Sequence, residues 1–310
     1  MINAVRDAAL VSEFRELSTW DLIVAANRER QKWMGSRFEL CSIMNVKSGL
    51  CSEDCKFCAQ SSRYKTTSPV FPLRSVDEML HDAERAKMAG AERFGLVASG
   101  RNLLKKEIET IAEGIRRIRQ SVDIAVCASL GILKKDALML LKESGLSRYH
   151  HNIETSPEFF PRIASTHLFS DRMATMKAAR EAGLEVCSGG IIGMGEGEED
   201  RIRMAQVLRE ADVNSVPLNI LVPIAGTPLA GISPLTVEEI LRAVAIFRLI
   251  LKNKTIRIAA GRETALKDFQ GMAFLAGANA MMIGGYLTIQ GREVAEDHKL
   301  VEEVKKLWNG

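Results

Sequence analysis

The sequence contains no run of about 18 consecutive apolar residues, so it offers no helix able to cross a bilayer. It also lacks an excess of either charge. The formal net charge is +3, and basic pairs such as Arg116-Arg117 and Lys134-Lys135 are interleaved with acidic residues. No basic stripe is left to track phosphates, and nucleic acid is not an expected partner. Low-complexity linkers are missing, so the chain reads as one domain. Its start, residues 1–14, carries Arg6, Asp7 and Glu13 and has neither the apolar core nor the small-residue cleavage site of a secretion signal. Cysteine is sparse: six in 310 residues, three of them bunched. That usage argues against a disulfide scaffold and for a reducing, cytoplasmic compartment.

The hydrophobic share of 46% is ordinary for a globular protein with a substantial core. Apolar or β-branched runs recur at 38–46, 93–98, 123–129, 148–153, 185–190, 215–221, 255–259 and 280–284. Helical patterns lie between them, at 76–89, 105–120, 134–144, 171–182, 198–211, 236–251 and 265–275. Several end on glycine where a left-handed C-cap is expected, at Gly90, Gly145, Gly183 and Gly277. Strands alternating with helices predict a parallel sheet, and eight such units match an α/β fold of the closed (β/α)8 TIM type. Residues 1–36 precede the first strand and read as a helical extension outside or beneath the barrel. Residues 37–310 form the barrel, with a closing helix from Asp297. An open doubly wound sheet is the competing architecture. It would want a glycine-rich phosphate loop after an early strand, whereas the cluster Gly189-Gly190-x2-Gly193-x-Gly195 follows the fifth.

The bunched cysteines are Cys51, Cys55 and Cys58, a CxxxCxxC spacing. Three thiolates in one short loop can hold three corners of a [4Fe–4S] cubane and leave the fourth iron open. An open iron can chelate the amino and carboxylate groups of S-adenosylmethionine (SAM). An electron passed through it can then break the sulfonium C–S bond, giving a 5′-deoxyadenosyl radical. A zinc site is the other use of such thiols, but it prefers CxxC pairs with a fourth Cys or His nearby. The next histidine here is His81.

The remaining cysteines fall on odd-numbered strands: Cys41 on the first, Cys127 on the third and Cys187 on the fifth, with Arg257 on the seventh. Barrel interiors fill in layers of four side chains from alternate strands, so these four can meet on the barrel axis. Any one of the cysteines is well explained as a small buried hydrophobe. An arginine in the same layer asks for an anion beside it, and a sulfide-bridged auxiliary cluster is such an anion.

Longer motifs carry a resemblance to the biotin synthase family of radical SAM enzymes. The stretch from Asn45 to Lys65, with its CAQSSRYK continuation, resembles that family's cluster loop. So do His151-Asn-Ile-Glu-Thr-Ser156 (HNLDTS in the family), Val186-Cys-Ser-Gly-Gly190 through Glu196, Pro217–Leu221 with Gly226–Leu229, and Arg257–Glu263. The likeness spans about residues 38 to 290. It implies a radical SAM barrel that inserts sulfur into dethiobiotin, as a homodimer, with flavodoxin or ferredoxin as electron donor. It implies that Cys51, Cys55 and Cys58 hold the SAM-binding cluster and that Asn152 and Glu154 contact the SAM ribose. Arg172 would meet the SAM carboxylate, and Phe57, Ile191 and Val222 would pack on the adenine. Asn152 and Asn219 would face dethiobiotin. The competing uses of these side chains are structural: Asn152 and Asn219 can satisfy strand-end backbone groups, and Arg172 can be an exposed helix residue.

The sequence departs from the family at four positions. Glu154 stands where Asp is usual, and Phe57 replaces a common Tyr. Gly95 occupies the second-strand position of an auxiliary-cluster cysteine, while Cys41 stands where Ser is more frequent. Thiolates on strands one, three and five span a wide triangle, which favours a four-iron auxiliary cluster carrying an extra sulfide over [2Fe–2S], with Arg257 as its partner or ligand. Among enzymes, a hydrogenase maturase or a methylornithine-type mutase is the nearest rival, and neither needs Cys127, Cys187 and Arg257 together. A non-enzymatic iron–sulfur electron carrier would hold clusters but not cleave SAM.

Overall fold

The computed structural model describes residues 12–287 and 291–309. Nine parallel strand segments are β1 (Glu39–Lys47), β2 (Arg93–Ala98), β3 (Ala125–Ser129), β4 (Arg148–His150), β5 (Glu185–Cys187), β6 (Gly190–Ile192), β7 (Ser215–Ile220), β8 (Thr255–Ile258) and β9 (Ala280–Met282). Their order is β5-β4-β3-β2-β1-β9-β8-β7-β6, and a further β5–β7 pairing at Cys187 and Ser215 closes the ring. Segments β5 and β6 are one broken strand, so this is an eight-stranded barrel.

The helices between strands are α2 (Val76–Met88), α3 (Lys105–Ser121), α4 (Lys135–Glu143), α5 (Phe169–Glu181), α6 (Glu198–Glu210), α7 (Val237–Leu251), α8 (Arg262–Leu266) and α9 (Gln270–Leu275). Capping boxes start two of them: Ser75 with Glu78, and Thr236 with Glu239. The glycines expected at C-termini, Gly90, Gly145, Gly183 and Gly277, all have positive φ. Helix α1 (Thr19–Met34) packs outside the barrel against α7, and α10 (Val294–Asn309) closes the chain. The first eleven residues of the expected extension lie outside the described residues.

Two elements differ from the sequence reading. The run at 185–190 is not one strand, because Ser188 and Gly189 leave the ladder. Asn152 Oδ1 accepts the Gly189 amide at 3.1 Å, while the Gly189 carbonyl accepts the amides of Ile153 and Glu154. The helix expected at 265–275 starts earlier, at Arg262, and is interrupted by a 3-10 turn at Lys267–Phe269. Arg262 explains the break: it bonds Gln270, Asp297 and Tyr286, pinning both sides of the turn to the buried face of α10. Among the described residues, no helix is long and apolar enough to cross a membrane.

Candidate active site

Alternation along the strands decides which side chains face the axis. From β1 these are Cys41 and Ile43, from β2 Arg93, Gly95 and Val97, and from β3 Cys127 and Ser129. Strand β4 adds Arg148 and His150, β5 adds Cys187, β7 adds Pro217 and Asn219, and β8 adds Arg257. They line one cavity of about 460 Å³ that also reaches Cys51, Cys55 and Cys58 in the loop after β1. All six cysteines are unpaired thiols on this cavity.

The loop with the first three cysteines is fixed by its own backbone and by the segment before α5. The Cys51 amide donates to the Gln60 carbonyl at 3.0 Å, and the Lys56 amide to the Ile163 carbonyl at 2.9 Å. The Asp54 carboxylate accepts the amides of Ser165 and Thr166 at 2.9 and 3.1 Å. Cys55 is buried against Phe159, Phe160, Ile163 and Leu221, with Phe57, Cys58 and Ile191 packed alongside. Burial pushes the Cys55 thiol up to about 12, against the pull of Arg172, and the Cys58 thiol up to about 11. Binding iron as thiolates would displace these protons, a cost that the positive charge of the metal would have to offset. Among the described residues, no three Cys, His, Asp or Glu side chains converge on a point the size of one metal ion.

The deeper thiols sit above a charged floor. Glu39, at the start of β1, is fully inside, and its carboxylate pairs with three guanidiniums. One is Arg257, another is Arg93 Nε at 2.9 Å, and the third is Arg148 Nη1 at 3.2 Å. Glu185 adds a second carboxylate, 2.8 Å from Arg148 and 3.2 Å from Arg93. The guanidiniums reach up to the sulfurs: Arg257 Nη1 lies 3.8 Å from Cys187 Sγ, and Arg93 Nη1 lies 4.0 Å from Cys127 Sγ. Arg257 Nε is buried without a hydrogen-bond partner. Glu39 is thus the anion beside Arg257, and Glu39, Glu185 and a Cys187 thiolate together balance the three guanidiniums, while one Arg257 donor is left without a partner. Burial pushes the Cys41 thiol up to about 12. At Cys187 burial acts the same way but is outweighed by His150, whose Nδ1 is 3.3 Å away, and by Arg257 and Arg148, bringing the thiol to about 6. Gly95 pairs in register with Cys127 and with Ile43, and a Cβ on it would meet Ile43 Cγ2 at 3.1 Å. These residues fit an auxiliary iron–sulfur group.

Between the two thiol sets, the chain after β4 folds into the gap in strand five. Glu154 adopts a left-handed φ of 69° and bridges to Gly190. Asn152 Nδ2 donates to Glu154 Oε2 at 3.2 Å. Arg172 from α5 is buried, not exposed, and donates through Nη1 to the Asn152 carbonyl at 2.8 Å and Glu154 Oε1 at 3.4 Å. Asn219, on β7, holds the other side of the same segment, donating to the Gly190 carbonyl and accepting the Ala260 amide, both at 3.2 Å. Phe57, Ile191 and Val222 supply the apolar wall.

Every residue singled out in the sequence therefore lines one cavity. Sequence reasoning passed over Glu39, Arg93, Arg148 and His150, although strand alternation carried the signal: each stands two residues from an inward position already chosen or on the next strand in register. Glu53 and His167, beneath Arg172, had no comparable signal.

Barrel and thiol loop together define an enzyme of the radical SAM class: residues 45–208 match the Radical SAM superfamily model. Residues 217–305 match the Biotin and Thiamin Synthesis associated domain. A biotin synthase of Thermotoga petrophila is 48% identical over 298 residues, covering 96% of this chain and 98% of that protein. One of Thermotoga neapolitana is 51% identical over 273 residues, covering 88% and 98%. The chain belongs to the biotin synthase family. A crystal structure of methylornithine synthase superposes with a TM-score of 0.82 at 19% identity, covering 96% of this chain and 92% of that one, a likeness of fold alone.

Proposed function

We propose that this enzyme converts dethiobiotin to biotin, inserting a sulfur atom supplied by an auxiliary cluster. The observation that supports the reading is that two thiol triads, one in the loop after β1 and one on β1, β3 and β5, line a single cavity that Asn152 and Asn219 also line. Cys51, Cys55 and Cys58 hold a [4Fe–4S] cluster, and Cys41, Cys127 and Cys187 hold the auxiliary one with Arg257 beside it. When bound, SAM and its cluster supply a 5′-deoxyadenosyl radical able to take hydrogen from an unactivated C–H bond.

The protein's own part is placement. Arg172 receives the SAM carboxylate, Asn152 and Glu154 the ribose hydroxyls, and Phe57, Ile191 and Val222 exclude water around the adenine. Asn152 and Asn219 present amide groups to the ureido ring. Each already bonds a backbone partner, so its orientation is fixed before substrate arrives. The arginine floor balances the charge of the auxiliary cluster, for which four iron atoms and an extra sulfide suit thiolates on three alternate strands better than [2Fe–2S]. The electron comes from a flavodoxin or ferredoxin, the enzyme works as a homodimer, and its free thiols suit the cytoplasm.

The test is anaerobic reconstitution with iron and sulfide, followed by SAM, dethiobiotin and dithionite. Biotin and 5′-deoxyadenosine are expected together by mass spectrometry. SAM cleavage that yields no biotin would reject the substrate, and Mössbauer spectra of the same sample read the cluster types.

A further inference from the structure

Below Arg172 runs a chain of buried polar groups. Arg172 Nε donates to His167 Nε2 at 3.1 Å, and His167 Nδ1 contacts a Glu53 carboxylate oxygen. Glu53 also accepts Thr166 Oγ1 at 2.7 Å and Arg101 Nη1 at 3.4 Å. Glu53, His167 and Arg172 are all at least nine-tenths buried.

The donor inventory fixes the direction of every bond in this chain. Arginine has no acceptor, so His167 Nε2 must present a lone pair to Arg172. The ring proton then sits on Nδ1, where it donates to Glu53. A doubly protonated ring could not accept from Arg172. Burial, with the Arg172 charge next, holds His167 below its ordinary value and keeps it neutral. Phe160 meets the ring edge-on at 5.4 Å between centroids and packs against it. On Arg172, Nε is occupied by His167 and Nη1 by Asn152 and Glu154. Among the described residues, no hydrogen bond uses Nη2.

We propose that His167, locked as the Nδ1–H tautomer by Glu53, is a positioning residue that turns Arg172 so that Nη2 faces the cavity as the donor for the SAM carboxylate. The inference rests on the reading of Arg172 as the carboxylate partner. Glu53 lies between Cys51 and Cys55, so the strut also ties the cluster loop to the arm of SAM that the open iron chelates. Neither His167 nor Glu53 touches SAM in this arrangement.

Two probes separate aiming from mere folding: S-adenosylhomocysteine, which has the amino-acid carboxylate, and 5′-methylthioadenosine, which lacks it. In cluster-loaded protein, His167→Phe keeps the ring but removes both nitrogens. It is expected to weaken S-adenosylhomocysteine by about tenfold, the scale of a lost hydrogen bond to a charged group, and to leave methylthioadenosine binding unchanged. His167→Gln, which keeps one acceptor and one donor, is expected to recover most of the loss. Equal weakening of both probes, or of neither, overturns the proposal. Arg172→Gln guards the underlying reading: if it spares S-adenosylhomocysteine, the carboxylate assignment itself fails. If Arg172→Gln weakens binding while His167→Phe does not, only the role of His167 falls. Long-range ¹H–¹⁵N spectra of the cluster-free protein should place the His167 proton on Nδ1, and an Nε2–H tautomer would overturn the strut without any ligand.

Discussion

The Glu39 carboxylate meets the Arg257 guanidinium in an ion pair at the floor of the barrel, where their side chains are 2% and 5% exposed. The same carboxylate holds Arg93 and Arg148, so one anion organises three cations beneath the auxiliary cysteines. Removing one member of a buried ionic set costs about 3–5 kcal/mol, because the others are left uncompensated. Glu39→Ala is expected to lower the stability of the cluster-free protein on that scale in urea unfolding. An unchanged midpoint would mean that the guanidiniums do not depend on Glu39.

The two thiol triads should load independently. Replacing Cys51, Cys55 and Cys58 together by Ala should abolish SAM cleavage yet leave about half the iron–sulfur content, because each triad can carry a cluster. A triple variant that retains no iron after anaerobic reconstitution would contradict two separate sites.

Cys41, which lines the cavity with Cys127 and Cys187, is proposed as a ligand of the auxiliary cluster. Cys41→Ser is expected to lose that cluster and biotin formation while the Cys51, Cys55, Cys58 cluster still cleaves SAM. Mössbauer spectra of the variant lacking those three cysteines should show a four-iron species. A dominant [2Fe–2S] doublet, or a fully active Cys41→Ser enzyme, would count against it.

Asn219 should matter to substrate as well as to the strand ends it joins, since its amide already bonds the Gly190 carbonyl and the Ala260 amide. Asn219→Ala is expected to weaken dethiobiotin by roughly 1–3 kcal/mol, the usual result of leaving a buried partner unpaired. Equilibrium binding to the cluster-loaded enzyme measures it, and unchanged affinity would remove Asn219 from the site.

Gly190 is the point where the broken strand receives Glu154. A Cβ there would lie 2.2 Å from the Glu154 carbonyl oxygen, a clash between backbones that no side-chain motion relieves. Gly190→Ala is expected to destabilise the fold by about 1–3 kcal/mol and to lower SAM affinity with it, since Asn152, Glu154 and Arg172 move together. A variant that keeps parental SAM affinity would show that the Glu154 bridge is dispensable.

Local chemistry was legible in the chain itself. The Cys51, Cys55 and Cys58 spacing lies within eight residues and needs no fold to be read. The periods of 2 and 3.6 placed the strands and helices, and their alternation gave the barrel; the same alternation faces Cys41, Cys127, Cys187 and Arg257 inward. Other relationships exist only once the barrel closes. Glu39 joins arginines from β2, β4 and β8, and Glu53 reaches His167 across 114 positions of sequence. The break in strand five likewise depends on Asn152 arriving from β4 to take the Gly189 amide. Side-chain parity is a property of each strand alone, but which inward residues share a level depends on register between strands, and register is set by pairings distant in sequence. That is why the inward-facing residues could be found from the chain, whereas the pairings among the charged groups around the cysteines were decided by tertiary structure.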